Sequence, residues 1–416
     1  MSKIGFSSNP SNGASHTWRS RRRFNYSSSK GGWQAKGATP PTPTAPTLNA
    51  STDLQDMNDA TGLAARMRGM AIMYNSYSDF PTEAYTGTFA YTRDTNELYV
   101  WTGASPAPTG IAWGGDRAVV MGGFGATSGG EVNTIEYFDI TTPSNSTYFG
   151  DLSEAIYITS AMSDSTYGIR SGGYSAADSL RRNTIEYITI ATTSNTTDFG
   201  DMTVLASQHA SASDGTYGIM AGGINATGVG NSNNDIQQIT IATPANATDF
   251  GDLSNKWNEL AGVADTTYAL FAGGQLNEIA TNTIEYVTIA SPSNSSDFGD
   301  LTTTRRFTNN SASGDTTRAL FGGGQITFPN GETTIDYVTI ASPSNATDFG
   351  DLTSGARGIS STSNGTYSTF IGGFRPTSSS SNVVDYVTIQ TTSNATDFGD
   401  LTEAIWGTSA TSGSPS

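Results

Sequence analysis

Two short signatures recur in step along most of this chain. A Gly-Gly pair begins at Gly122, Gly172, Gly222, Gly273, Gly323 and Gly372. A Phe-Gly-Asp triplet begins at Phe149, Phe199, Phe250, Phe298, Phe349 and Phe398. Neither series slips against the other, so from residue 117 onward the chain is an array of one unit of about fifty residues. Tyr268-Ala-Leu-Phe-Ala-Gly-Gly, Asn282-Thr-Ile-Glu-Tyr-Val-Thr-Ile-Ala and Ser293-Asn-Ser-Ser-Asp-Phe-Gly-Asp-Leu-Thr show the unit most clearly.

Each unit reads as four strands. The Gly-Gly strand is apolar before its glycines, as in Ala118-Val-Val-Met. A variable loop follows, then an alternating strand carrying Ile284, Tyr286, Val287 and Ile289 in one copy. A Ser/Pro/Asn turn leads to the Phe-Gly-Asp strand, and the last segment is polar, as in Arg305 to Ser313. A sheet with two apolar faces cannot cover both by itself. Packing such sheets around an axis and closing the ring does so without leaving open ends. Glycine pairs suit strands that converge near an axis, where backbones must approach without a Cβ.

This pattern resembles the kelch propeller, with its apolar strand, Gly-Gly, variable loop and aromatic-bearing strand. The third-strand aromatic is Tyr137, Tyr187, Tyr286, Tyr337 and Tyr386, with Gln238-Ile239 in the remaining copy. Phenylalanine stands where kelch repeats usually carry tryptophan in the fourth strand. The resemblance implies an all-β fold, a six-bladed propeller over residues 117–416. The terminal segment, about 403–411, is expected to return as the innermost strand of the first blade and to pair with the Arg117 strand.

Residues 1–52 are a different kind of sequence. The first fifty contain seven Lys and Arg and no acid, whereas the chain as a whole carries a net charge of −17. Trp18, Arg19, Arg21, Arg22, Arg23 and Trp33 mark this stretch as an extended anchoring arm for an acidic surface. The prolines between Pro40 and Pro46 favour an extended linker. Residues 53–116 are expected to form a small module. Asp53 to Tyr74 is expected to be one amphipathic helix with an Asp/Ser/Thr start, its Leu54, Met57, Leu63, Met67, Met70 and Met73 at near-helical spacing. Phe89-Ala-Tyr and Leu98-Tyr-Val-Trp101 flank Asp94-Thr-Asn-Glu97 as a β-hairpin.

That hairpin, Gly-x-x-Ala-Tyr followed by Leu-Tyr-Val-Trp-x-Gly, resembles short hairpins of virion structural proteins of tailed bacteriophages, notably those of marine cyanobacteria. Gly13 to Trp33 looks like a degenerate second copy, with Phe24 and Tyr26 in its second strand. The resemblance implies a virion structural protein, present in several copies, docked to other virion proteins at the tail or fibre, or on the capsid as a decoration. A cytosolic propeller adaptor and a glycan-active propeller enzyme are the alternatives.

Several chemistries find no residues to carry them. With no cysteine there is no disulfide, thiolate metal site or cysteine nucleophile. His16 and His209 occur in unlike segments, and His209 belongs to no recognisable triad. No apolar run reaches the roughly 20 residues that span a bilayer, and the N-terminus lacks the apolar core of a secretory signal. No catalytic residue, cofactor or metal site is expected, no nucleic-acid partner, and no enzymatic activity. Glu278, Glu332 and Glu403 are the acids that stand off the repeat pattern.

Asp151, Asp201, Asp252, Asp300, Asp351 and Asp400 follow each Phe-Gly. Strict repetition marks them as turn acceptors rather than a ring of cation ligands. Asn145, Asn195, Asn246, Asn294, Asn345 and Asn394 each sit in Asn-x-Ser/Thr. Without a secretory signal they read as turn residues rather than glycosylation acceptors. Specificity is expected in the loops after Gly-Gly, which vary while their scaffold repeats. Arg181, Arg182, Phe328 and Arg375 are the exposed anchors expected there, for a protein or a host-surface glycan.

Overall fold

A computed structural model describes residues 115–225, 231–306, 311–327, 329–375 and 379–414, with the backbone of short strands between Ser2 and Val100. The chain separates into two compact units, Met1–Pro108 and Thr109–Ser416. Among the described residues every regular element is a strand.

In the first unit, Phe89–Thr92 and Glu97–Val100 form the hairpin, with Phe89 opposite Val100 and Thr92 opposite Glu97. Ser2–Lys3 lines the Glu97–Val100 edge. The other edge takes Ile72–Tyr74, parallel to Phe89–Thr92. The end of the expected helix is therefore a strand. An Ile-Met-Tyr run suits a pleated ladder, and the hairpin offers it an open edge to pair with. Residues 53–71 lie outside the described residues. A second small sheet joins Ser15–Thr17, Arg23–Ser27 and Gly32–Ala35. Arg23 and Trp33 lie on these strands, whereas Trp18, Arg19, Arg21 and Arg22 are outside the described residues.

The second unit is a propeller-like ring of antiparallel sheets. One repeat shows the plan: Ser160–Ser163 pairs with Tyr167–Ser171, which pairs with Leu180–Thr189, which pairs with Thr197–Ala206. The sheets do not divide into six free-standing blades. Thr396–Trp406 extends far enough to pair at Ile405–Trp406 with Gly125 and Phe124. That pairing fuses the first and last meanders into one nine-stranded sheet. Residues 403–406 thus continue the preceding strand. Ser409–Gly413 is a separate strand that pairs with the same first strand, antiparallel to Arg117–Met121.

The innermost strands are Ser160–Ser163, Ala210–Ser213, Ala261–Ala264, Ala312–Gly314, Ser360–Ser363 and Ser409–Gly413. Each lies beside the next, and Ser409–Gly413 lies beside both Ser160–Ser163 and Ser360–Ser363, so the series closes on itself. Small side chains let these strands crowd the axis. Hydroxyls join neighbours there: Ser213 Oγ donates to the Ser163 carbonyl at 2.7 Å, Ser163 Oγ to Ser412 at 2.8 Å, and Ser412 Oγ to Ser363 at 2.6 Å. A cavity of about 80 Å³ remains between them.

The core lies between adjacent sheets. Ile219, Ile236 and Phe250 of one meander pack with Leu260, Phe271 and Val287 around the next. Burying such side chains contributes roughly 1.5–3 kcal/mol each, which is why neither sheet face can be left uncovered.

The Phe-Gly-Asp triplet clips one repeat to the next. The Asp201 amide donates to Asn246 Oδ1 at 3.0 Å, and the Asp201 carbonyl accepts from the Ala247 amide at 2.8 Å. All six repeats make both bonds, ending with Asp400 and Asn145. The expected turn role thus belongs to the backbone of the aspartate, and the asparagine reaches across a repeat boundary. Gly200, at φ 144°, brings the two chains together. A Cβ there would meet the Ala245 carbonyl at 2.6 Å.

The Gly-Gly pairs also differ from expectation. Gly172 and Gly173 lie at φ 58° and 110°, where they turn the chain at a strand end. The Gly173 amide then donates to the Ala206 carbonyl at 2.8 Å. Left-handed backbone requires glycine there, and so does close approach, because a Cβ on Gly172 would meet the Ala206 carbonyl at 2.4 Å; the approach is to the end of a neighbouring strand rather than at the axis.

Candidate functional site

The residue after each Gly-Gly pair bridges to the connecting segment of a neighbouring strand. The bridged pairs are Tyr157 with Tyr174, Ser207 with Ile224, Asn258 with Gln275, Arg306 with Gln325, and Arg357 with Phe374. Trp406 pairs with Phe124 in the same way. The backbone repeats at these positions and the side chains do not.

Inside this set runs a chain of backbone bonds. Gly407 donates to Gly358 at 3.0 Å, Ile158 to Gly407 at 2.7 Å, Gln208 to Ile158 at 3.2 Å, and Glu259 to Gln208 at 2.9 Å. All five residues have φ between 48° and 66°. Ile158, Gln208 and Glu259 hold this strained backbone without being glycine, at a cost of order 1–3 kcal/mol each.

Aromatic side chains fill one arc. Phe374 and Trp406 lie 4.6 Å apart, Trp406 and Tyr157 5.2 Å, and Tyr157 and Tyr174 5.7 Å. Phe124 joins at 5.5 Å from Tyr157 and 6.0 Å from Trp406. All five are partly exposed. An arginine closes each end. Arg357 lies over Phe374 at 4.3 Å and Arg181 over Tyr174 at 5.6 Å. Arg181 Nε also donates to Ser207 Oγ at 3.0 Å. Burial pulls both arginines below their ordinary pKa and raises that of Tyr157.

The opposite arc is polar. Gln208 Nε2 donates to Glu259 Oε1 at 3.0 Å, Arg306 to Gln275 Oε1 at 3.0 Å, and Gln275 Nε2 to Asn258 Oδ1 at 3.2 Å. Partly exposed rings flanked by cations can stack on flat apolar faces and attract anionic groups.

Among the expected anchors, Arg181 falls in this arc. Arg182 points into an ion-pair group instead, bonded to Glu154 at 2.8 Å and Asp178 at 3.0 Å. Arg375 is a correction: it is 7 % exposed, with Nη1 2.8 Å from Asp385 Oδ2. A buried carboxylate needs a cation or several donors, and that need draws the loop arginine inward. Phe328 lies outside the described residues.

His209 and Ser171 are both buried, with His209 Nε2 2.9 Å from Ser171 Oγ. Burial, and then the Arg170 charge, push the His209 pKa down to about 3. Among the described residues no three His, Cys, Asp or Glu side chains are grouped as metal ligands. Of the off-pattern acids, Glu403 accepts from the Thr127 and Ser128 amides.

Sequence reading passes over one repeated feature. An acid occupies the same buried place in the third strand at Glu136, Glu186, Glu285, Asp336 and Asp385, with Gln237 in the remaining repeat. Its partner comes from a different place each time. Arg170 Nη2 meets Glu186 at 2.5 Å from the second strand of the same sheet. Arg305 meets Asp336 at 2.6 Å from the repeat before it. Trp257 Nε1 donates to Glu285 Oε1 at 2.9 Å. Burial opposes ionisation of Glu186, but the Arg170 charge and hydrogen bond hold it below the usual carboxylate range. The available signal was the acid inside Ile-Glu-Tyr, Ile-Asp-Tyr or Val-Asp-Tyr, following an inward apolar residue.

No protein-family model matches the chain, and no curated protein matches it.

Proposed function

We propose that the protein is a non-enzymatic structural and recognition component of a tailed-phage virion. Its second unit is read as a six-bladed kelch-like propeller, supported by six innermost strands that follow one another in a closed series. Residues 1–52 serve as the arm that anchors the protein to other virion proteins at the tail or fibre. The arc of Phe374, Trp406, Phe124, Tyr157 and Tyr174 between Arg357 and Arg181 is the contact face for a protein or host-surface partner. That arc carries the reading, because it is where the repeat gives up its symmetry in favour of large, partly exposed rings. The hairpin resemblance and the basic charge of the arm support the virion setting.

The test is made on purified particles. The full chain is expected in them by mass spectrometry, a chain lacking residues 1–52 is expected to be lost from them, and particles carrying Tyr157→Ala are expected to adsorb poorly to host cells. Particles that never contain the full chain would overturn the virion reading. Normal adsorption by the Tyr157 variant would overturn the contact face.

A further inference from the structure

Each junction between successive repeats carries the third-strand acid, or its glutamine, beside the segment that follows Phe-Gly-Asp-Leu/Met. A hydroxyl or amide of that segment always donates to it: Ser153, Thr203, Ser254, Thr302, Thr353 and Thr402 do so in turn. A further donor then reaches four of the five acids. It is a guanidinium for Glu186, Asp336 and Asp385, and an indole N–H for Glu285.

Glu136, at the junction of the last repeat with the first, lacks that donor. Three positions supply it in sister repeats. One is that of Arg375, three residues after the start of its Gly-Gly, where this repeat has Gly125. Arg170 stands two residues before its Gly-Gly, and Val120 holds that place here. Arg305 and Trp257 stand four residues after their Leu, and Ile405 holds that place here. Gly125 has no side chain, and Val120 and Ile405 are short and apolar. A cavity of about 50 Å³ is left between them, lined by Val120, Ile405, Glu136, Thr134, Thr402 and Glu403.

The carboxylate has capacity to spare. Glu136 Oε2 accepts from Ser146 Oγ and the Thr402 amide, whereas Oε1 accepts only from Thr402 Oγ1. In the sister site Glu285 Oε1 accepts from both Ser254 Oγ and Trp257 Nε1. The cavity volume exceeds the roughly 10–15 Å³ that one water requires. Thr402 is exposed and Glu403 partly so, which leaves the rim accessible.

We propose that this cavity is a binding site for a guanidinium group, seated against Glu136 between the first and last repeats. A guanidinium suits it because the molecule places that same group beside this acid at three sister junctions. The group can belong to a free small cation or to the tip of a partner's arginine side chain.

The test compares melting of the full chain in methylguanidinium chloride at about 10 mM, far below denaturing concentrations, with melting in equal sodium chloride. A rise of about 2 °C is expected for the wild type. Val120→Arg, which repeats the Arg170 arrangement, is expected to melt higher by itself and to show no further rise. Glu136→Gln should also lose the response; should it fail to fold, Val120→Arg still decides. No rise in the wild type, or an equal rise in Val120→Arg, would overturn the site. A blocked arginine tripeptide separates the sources. A rise with the peptide as well assigns a partner's side chain, and a rise with methylguanidinium alone assigns a free cation.

Discussion

The amide of Asp400 donates to Oδ1 of Asn145 at 3.1 Å, joining the last repeat to the first. The same bond links every earlier pair of repeats. Closure reuses the clip that holds the array together. Asn145→Ala should therefore destabilise the protein by roughly 1 kcal/mol, read as a lower urea midpoint. Asn246→Ala should cost about the same. A much larger effect at Asn145 would mean that closure depends on this bond in a way the other junctions do not.

Gly399 sits one residue before Asp400 at φ 148°, and an added Cβ would meet the Ser144 carbonyl at 2.5 Å. Neither backbone can yield without breaking the clip. Gly399→Ala should cost on the order of 2 kcal/mol or more. Chemical denaturation measures it, with Gly129→Ala as a left-handed control that meets nothing within 4 Å.

Arg170 and Glu186 form a buried pair with side chains 0 % and 3 % exposed. The next repeat carries Met220 and Gln237 in the corresponding places. Arg170→Met alone strands a buried carboxylate and should cost about 3–5 kcal/mol. The double variant Arg170→Met with Glu186→Gln copies the natural neighbour and should recover most of that loss. Equal damage from single and double variants would show that the arginine acts through packing.

His209 has a folded pKa pushed down to about 3, against an unfolded value near 6.5. The unfolded chain therefore binds the proton first as pH falls. The contribution is complete above about pH 6.5 and is lost from there towards pH 3, the loss amounting to about 3 kcal/mol by pH 4. His209→Leu, which copies Leu260 of the next repeat, should flatten this part of the stability profile. Urea melts of both proteins at several pH values test it. Parallel profiles would remove His209 as the source.

How much of this could be read beforehand depends on whether a residue acts locally. Gly-Gly, Phe-Gly-Asp and the turn asparagines recur because each repeat needs them, so their periodicity is visible in the chain. The use made of them was less visible. Asn145 serves Asp400, and nothing in the turn itself points across a repeat boundary. The aromatic arc was hidden for a related reason. Phe124 and Trp406 come from opposite ends of the array, and only the ring brings them within 6.0 Å. Arg375 read as exposed because its loop is variable. Only the position of Asp385 shows why it turns inward. The helix expected over residues 53–74 rested on local spacing and an Asp/Ser/Thr start, and its last three residues instead found a strand edge to pair with.

Ser409–Gly413 completes the sheet that Arg117 opens. On the ribosome, at about 5–20 residues per second, those two segments emerge roughly 15–60 s apart. Throughout that interval the first-made strand has an unpaired side, facing sister chains on the same message that carry the same missing piece. A swapped dimer, in which one chain's final strand fills another's opening sheet, is the assembly error this architecture invites, and crowding of nascent chains would set how often it occurs.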